Sequence, residues 1–443
     1  MVRFHGTAIP FRGRDARLDA FNRTDLDSRE RRYHTLRTCI LRSAAFQQKP
    51  TGASTLAQAG AGKRAGVLTA LFMAGFSTFL NLYATQPVLP RFREVFGASE
   101  VLVSLTVTAP VLAVALTAPL VGLLADTLGR KRVIVAALLG LAVPTALAST
   151  ASTLGQLIFW RFLQGVFIPG IIAVTMAYIS EESPFQSVGS TMATYVTGTV
   201  VGGFSGRFIV GICATHWGWR MAFLVLGAST LAGALATWRF LPRSTKFVRQ
   251  SNAAASLKSL NAHLRNPQLL ATYAVGFNVL FCLVGTFTYV NFYLADEPFR
   301  LGTTALGAIF AVYLIGAAVT PVAGHILDHV GFRRGMVGAS ALAAIGILLT
   351  LIRSVPAVVA GLTLCASGAF VCQSAASSQV GKAAGEARSS AAGLYVALYY
   401  LGGCAGSILP GFLWKQTGWL GCVTLTVGMQ IIVALVAHRL WKD

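Results

Sequence analysis

Twelve stretches of about 20 mostly apolar residues, separated by short polar breaks, run from residue 65 to the carboxyl end. A helix of that length rises ~1.5 Å per residue and crosses the ~30 Å hydrocarbon core of a bilayer. The stretches lie at 65–88, 100–124, 133–150, 154–179, 187–211, 220–241, 268–293, 304–325, 335–352, 356–379, 389–413 and 418–438. Their apolar character runs evenly around each helix, without the strongly charged face of a helix lying on a membrane surface. The composition agrees: only 12% of residues are charged, against roughly 25% in a soluble chain. The predicted fold is an all-α polytopic membrane protein with twelve transmembrane helices.

The formal net charge is +21. Such an excess suits a nucleic-acid binder, but its distribution does not. With the amino terminus inside, 28 of the 36 Lys and Arg fall in inner segments and six in outer loops, and two, Arg161 and Arg207, lie within apolar stretches. That asymmetry follows the positive-inside rule. The basic balance therefore reports topology, both termini are predicted to be cytoplasmic, and no nucleic-acid partner is assigned.

Residues 1–62 differ in kind, being Arg-rich with five acidic residues and no long apolar run. They lack the apolar core of a secretory signal. A disordered cytoplasmic tail is expected there; a basic surface-binding segment and an over-extended start are the alternatives. The string ASTLAQAGAGKRAG fails as a phosphate loop, because the Walker spacing requires Gly at 57 and Ser or Thr at 64, where Ala57 and Arg64 stand. Six of the seven cysteines sit in apolar runs and no CxxC occurs; such thiols are small packing residues.

The second half of the chain repeats the first. GLLADTLGRKR, from Gly122 to Arg132, recurs as GHILDHVGFRR, from Gly324 to Arg334, with the aspartates 202 residues apart. YVTGTVVGGFSG, from Tyr195 to Gly206, recurs as YVALYYLGGCAG, from Tyr395 to Gly406, 200 residues on. Gly218 and Gly418, each followed by Trp, open the sixth and twelfth runs at the same offset. Three features in one order at one spacing predict two pseudo-symmetric six-helix bundles. The expected division is a tail at 1–62, a first bundle at 63–241, a cytoplasmic linker at 242–267 and a second bundle at 268–443.

GLLADTLGRKR resembles the signature of the loop between the second and third helices of the major facilitator superfamily, and GHILDHVGFRR its weaker second copy. LIFWRFLQG, holding Arg161, Gln164 and Gly165, resembles that family's second motif. The spacing Gly189, Gly198, Gly202, Gly203 and Gly206 is similar to the antiporter motif of efflux members, although Gly203 and Arg207 stand where the family has Pro and Gly. NLYATQP, from Asn81 to Pro87, is similar to YnfM-like bacterial efflux permeases. The resemblance implies a twelve-helix secondary transporter with a central site, and a latch that holds the two bundles together when the carrier opens outward. By that carry-over the latch comprises Gly122, Asp126, Gly129, Arg130, Lys131 and Arg132, with Gly324, Asp328, Gly331, Arg333 and Arg334 in the copy. Asp126 would pair with Arg130 and face the positive amino-terminal end of the eleventh helix.

The residues themselves say what physics allows. Asp126 and Arg130 stand four apart with the acid first, the favourable order on a helix, and Gly129 permits a tight reversal. Gly198, Gly202 and Gly206, with Gly402, Gly403 and Gly406, can bring helices into close approach, as packing or as a gate. Arg161 lies about eight residues into the fourth run, ~12 Å deep by helical rise. A charge there costs at least ~2.5 kcal/mol and requires a cavity or a partner. It is either a substrate or coupling group, or a buried arginine satisfied by backbone carbonyls and Gln164. For Arg207, near the outer end of the fifth run, snorkelling to the interface is the simpler role.

Other polar candidates for a central site are Asn81, Tyr83, Gln86, Asn278, Asn291, Gln373, Tyr395 and Tyr399. The acidic residues beyond the tail all fall in loops or at span ends, so neutral or anionic solutes are favoured over lipophilic cations. His325 and His329 flank Asp328 but replace variable signature positions, and no metal is assigned. Nothing resembles an ATP-binding module or a catalytic constellation. The expectation is therefore a monomeric, proton-coupled exporter in the bacterial inner membrane, with a small solute and lipid as its partners and no cofactor. A proton-coupled importer of a small organic anion and a transporter-derived membrane sensor are the alternatives.

Overall fold

The computed structural model describes residues 61–244, 265–383 and 388–441, and excludes the side chains at 61, 63, 119–120, 122–127, 185, 324–326, 328, 381–382 and 388–390. The predicted tail and most of the linker lie outside the described residues. What is described is helical throughout, and twelve segments are long and apolar enough to cross a membrane. Within a bilayer the backbone must bond to itself, which helices achieve one segment at a time.

The first six spans are α1 (Ala61–Leu82) with α2 (Leu89–Phe96), α3 (Glu100–Leu128), α4 (Arg130–Leu147), α5 (Leu154–Glu182), α6 (Val188–His216) and α7 (Trp219–Phe240). The last six are α8 (Pro267–Ala295), α9 (Thr303–Ile309) with α10 (Val312–Val330), α11 (Phe332–Leu349), α12 (Val355–Ala383), α13 (Arg388–Thr417) and α14 (Trp419–Leu440). Several starts are capped as their sequences dictate. The Ser99 and Thr153 hydroxyls accept from the amides of Leu102 and Gln156, and Asn266 Oδ1 accepts from Gln268 and Leu269 with Pro267 in the first turn. At 29 residues each, α3, α5, α6, α8 and α12 outrun the ~30 Å core and must tilt or project.

The repeat extends to the backbone. Gly129 joins α3 to α4 at φ +86°, and Gly331 joins α10 to α11 at φ +90°, a conformation that side-chain-bearing residues avoid. In each half the first helix packs on the fifth. The apolar surface is turned outward as lipid requires: Trp217 and Trp238, at opposite ends of their spans, are 66% and 62% exposed, as in an aromatic belt.

Two spans are not single helices. The first run was expected to be continuous over 65–88, but α1 stops at Leu82. Pro87 has no N–H to return to Tyr83, and the chain tightens into i to i+3 bonds, Gln86 N to Tyr83 O and Val88 N to Thr85 O. The residues after it, expected as loop, form the short helix α2. The eighth run is also split, by a tightened turn at Phe310 and Ala311.

Candidate functional site

The break in α1 leaves carbonyls without helical partners, and Arg161 on α5 supplies them. Its Nη2 donates to Leu82 O at 2.6 Å, Nη1 donates to Asn81 O at 2.8 Å, and Nε donates to Thr106 O on α3 at 2.9 Å. Nη1 also donates to Gln164 Oε1, and Gln164 Nε2 reaches Pro144 O on α4. Arg161 is 1% exposed and Gln164 is fully buried. Of the two roles open to Arg161 in the sequence, these are the partners of the second: it caps a broken helix and ties α1, α3, α4 and α5 together. Asn81 completes the knot. Its Nδ2 donates to Thr230 Oγ1 on α7 at 2.8 Å, and its Oδ1 accepts from Thr145 Oγ1 on α4 at 3.1 Å. Asn278 makes the analogous tie in the second half, donating to Gln430 Oε1 on α14 at 3.2 Å. These four candidates, Arg161, Gln164, Asn81 and Asn278, are engaged between helices.

Tyr83 and Gln86 gather instead around Arg207, where snorkelling was expected. The side chain does not reach an interface: it is 3% exposed, because α6 turns it inward against the gap that the α1 break opens. Nε donates to Gln86 Oε1 at 2.7 Å and Nη1 to Gly203 O at 2.6 Å. Its Cζ lies 4.5 Å, 5.0 Å and 5.1 Å from the ring centroids of Phe310, Tyr313 and Tyr83, within cation–π range. Gln86 Nε2 donates in turn to Thr288 Oγ1 on α8 at 3.2 Å. The cluster thus joins the two halves, and Tyr399 and Tyr400 of α13 are electrostatic neighbours of the Tyr83 hydroxyl. Tyr395 donates to Gln373 Oε1 on α12 at 3.0 Å and stacks on Tyr399. Composition did not reveal this site; the one available signal was an arginine where the antiporter motif has glycine.

The glycines act in packing. A Cβ built on Gly198, Gly202 or Gly206 would lie 2.3 Å, 2.2 Å or 2.0 Å from the carbonyl oxygens of Phe72, Phe76 and Leu80 on α1. A Cβ on Gly402 or Gly406 would lie 2.0 Å or 2.2 Å from Phe277 O or Phe281 O on α8. Gly403 packs against Leu280 and Val111, whereas Gly203 has room and serves through its carbonyl.

On the side carrying the basic loops, Arg130 forks onto Glu181 at the end of α5, with Nη2 to Oε1 at 2.8 Å and Nε to Oε2 at 3.2 Å. The expected Asp126–Arg130 pair, the contacts of Gly122, Gly324 and Asp328, and the His325 environment lie outside the described residues. Lys131 is half-buried, Arg132 and Arg334 are exposed, and Arg333 bonds His438 Nε2 at 3.0 Å. Glu181→Gln is expected to cost about 0.5–1 kcal/mol, since the pair is partly solvated. Thermal unfolding should show that loss at low salt and little of it at high salt.

Among the described residues, polar contacts that join the halves gather on the opposite side. Arg93 pairs with Asp296 at 2.8 Å, Thr108 meets Ser407 at 2.7 Å, and Thr215 meets Thr303 and Thr304 at 2.8 Å. Ser407→Ala with Thr108→Val removes one buried bond, worth ~0.5–1.5 kcal/mol and hence about a 2- to 10-fold shift in a two-state balance. Distances between spin labels on the 97–99 and 298–302 loops should shift toward longer values.

The Major Facilitator Superfamily model matches residues 71–407 and 297–443. The inner membrane transport protein YnfM of Escherichia coli K12 is 34% identical over 379 residues, covering 85% of this chain and 90% of YnfM. The multi-drug resistance efflux pump PmrA of Streptococcus pneumoniae TIGR4 is 27% identical over 62% of this chain and 66% of its own length. A bacterial homologue of the human lysosomal transporter Spinster, solved inward-facing and unoccupied, superposes with a TM-score of 0.70 at 15% identity, covering 87% of this chain and 100% of that one. The chain belongs to the major facilitator superfamily: it is a multi-pass membrane transporter and not an enzyme.

Proposed function

We propose that this chain moves a small neutral or anionic solute out across the bacterial inner membrane by alternating access, coupled to protons. The carrying observation is that, among the described residues, the polar ties between the halves gather on one side, at Gln86–Thr288 beside Arg207, Thr108–Ser407 and Thr215–Thr303. Two rigid bundles joined at one side can rock about a midplane site. By the positive-inside rule the tied side faces the periplasm and both termini are cytoplasmic. Efflux is supported by the similarity to PmrA, a named efflux pump. Neutral or anionic cargo is supported by the buried Arg207, while Glu94, Glu100, Glu181, Glu182, Asp296 and Glu297 all lie at span ends or in loops.

Proteoliposomes of the full chain test this with a panel of radiolabelled neutral and anionic solutes. Movement of at least one should follow an imposed pH gradient and collapse with a protonophore. Gradient-independent movement of every solute defeats the coupling, and movement only toward the cytoplasmic face makes the chain an importer.

A further inference from the structure

The two buried arginines differ in how completely they are satisfied. Arg161 has four of its five N–H donors bonded. Arg207 has two, to Gln86 and Gly203, and its Nη2 donates to no described residue. No carboxylate pairs with it among the described residues. A desolvated cation with idle donors is costly, and three aromatic rings offset only part of that cost.

Resting on the transporter reading above, we propose that Arg207 is the recognition cation for a small organic anion bearing a flat ring, an aryl carboxylate, bound where the halves meet. Three hydrogens remain, two on Nη2 and one on Nη1, on the side of the guanidinium away from Nε, and adjacent guanidinium nitrogens take a carboxylate through paired bonds. Around the guanidinium the lining is aromatic. Tyr83 comes from one half and Phe310 and Tyr313 from the other, with Tyr313 half-buried. Flat faces of this kind stack an aryl ring. Because the rings on the guanidinium come from opposite halves, an anion seated there bears directly on the contact between them. A neutral amide of the same shape lacks the charge that the guanidinium selects.

The test uses purified full-length protein in detergent with 2-naphthoate, the isosteric 2-naphthamide, and acetate as the ringless anion, read by thermal stabilisation and by counterflow in proteoliposomes. Wild-type protein should prefer naphthoate over naphthamide by about tenfold or more, the worth of a charge-assisted pair, and acetate should bind more weakly than naphthoate. Arg207→Gln should abolish the preference, Arg207→Lys should retain part of it, and Tyr313→Leu should weaken naphthoate while keeping the anion preference. If Arg207→Gln does not fold, the Arg207→Lys and Tyr313→Leu readouts decide. Equal affinity for naphthoate and naphthamide in wild type, an undiminished preference in Arg207→Gln, or no binding of naphthoate overturns the proposal. Any of these alongside gradient-driven movement of other solutes leaves the transporter reading standing, whereas absence of gradient-driven movement with naphthoate selectivity intact defeats only that reading.

Discussion

Arg161→Met is expected to lose most of the folded protein from the membrane. The substitution leaves the carbonyls of Leu82 and Thr106 without the arginine in a region without water, and Asn81 O keeps only the Ala84 amide. Each unpaired buried group costs ~1–3 kcal/mol, so the two together amount to a substantial share of a marginal stability of ~5–15 kcal/mol. Gln164, which accepts from the guanidinium, is stranded as well. Arg161→Lys should recover only part of the loss, because a compact ammonium cannot fork to carbonyls on α1 and α3 at once. Thermal unfolding in detergent and membrane abundance measure both. An Arg161→Met protein of wild-type stability that no longer transports would instead make Arg161 a substrate group.

Gly206→Ala is the second expected failure. The new methyl would lie 2.0 Å from the Leu80 carbonyl oxygen and 2.7 Å from its carbon. Backbone atoms cannot rotate away as a side chain can, so α1 and α6 must separate. Over-packing of this kind costs ~1–3 kcal/mol, and the separation also strains the neighbouring approaches at Gly198 and Gly202. Gly402→Ala should behave alike in the second half, where the Phe277 carbonyl stands 2.0 Å away. Gly428→Ala on α14 meets nothing within 4 Å and should be neutral or slightly stabilising, as a helix interior favours alanine over glycine by ~1 kcal/mol. Equal unfolding midpoints for Gly206→Ala and Gly428→Ala would refute close helix approach at Gly206.

The two variants separate structure from recognition. Arg161 and the glycines hold α1 in place, and α1 carries the Tyr83–Gln86 turn against which Arg207 rests. A defect in either should therefore lower folded protein first, whereas changes at Arg207 and Tyr313 should alter which solute is chosen.

Much of this protein was legible along one dimension. The apolar runs determined twelve spans because a bilayer sets a helix length and demands that the backbone satisfy itself. The offset of about 200 residues between GLLADTLGRKR and its copy, and between the two glycine strings, determined the duplicated plan, down to the matching positive-φ turns at Gly129 and Gly331. Pro87 was visible too, but not its consequence. A proline shows where a helix is weakened, while the partner of the freed carbonyls, Arg161, is 74 residues away and is brought there only by packing. The same limit applies to Arg207. Its position near a span end suited snorkelling, and only the tertiary structure set it between aromatic rings of both halves, with three of its five donors bonded to no described residue. Hydropathy follows each residue's preference for lipid or water, but the partners of a buried charge depend on which helices meet, and that is decided in three dimensions.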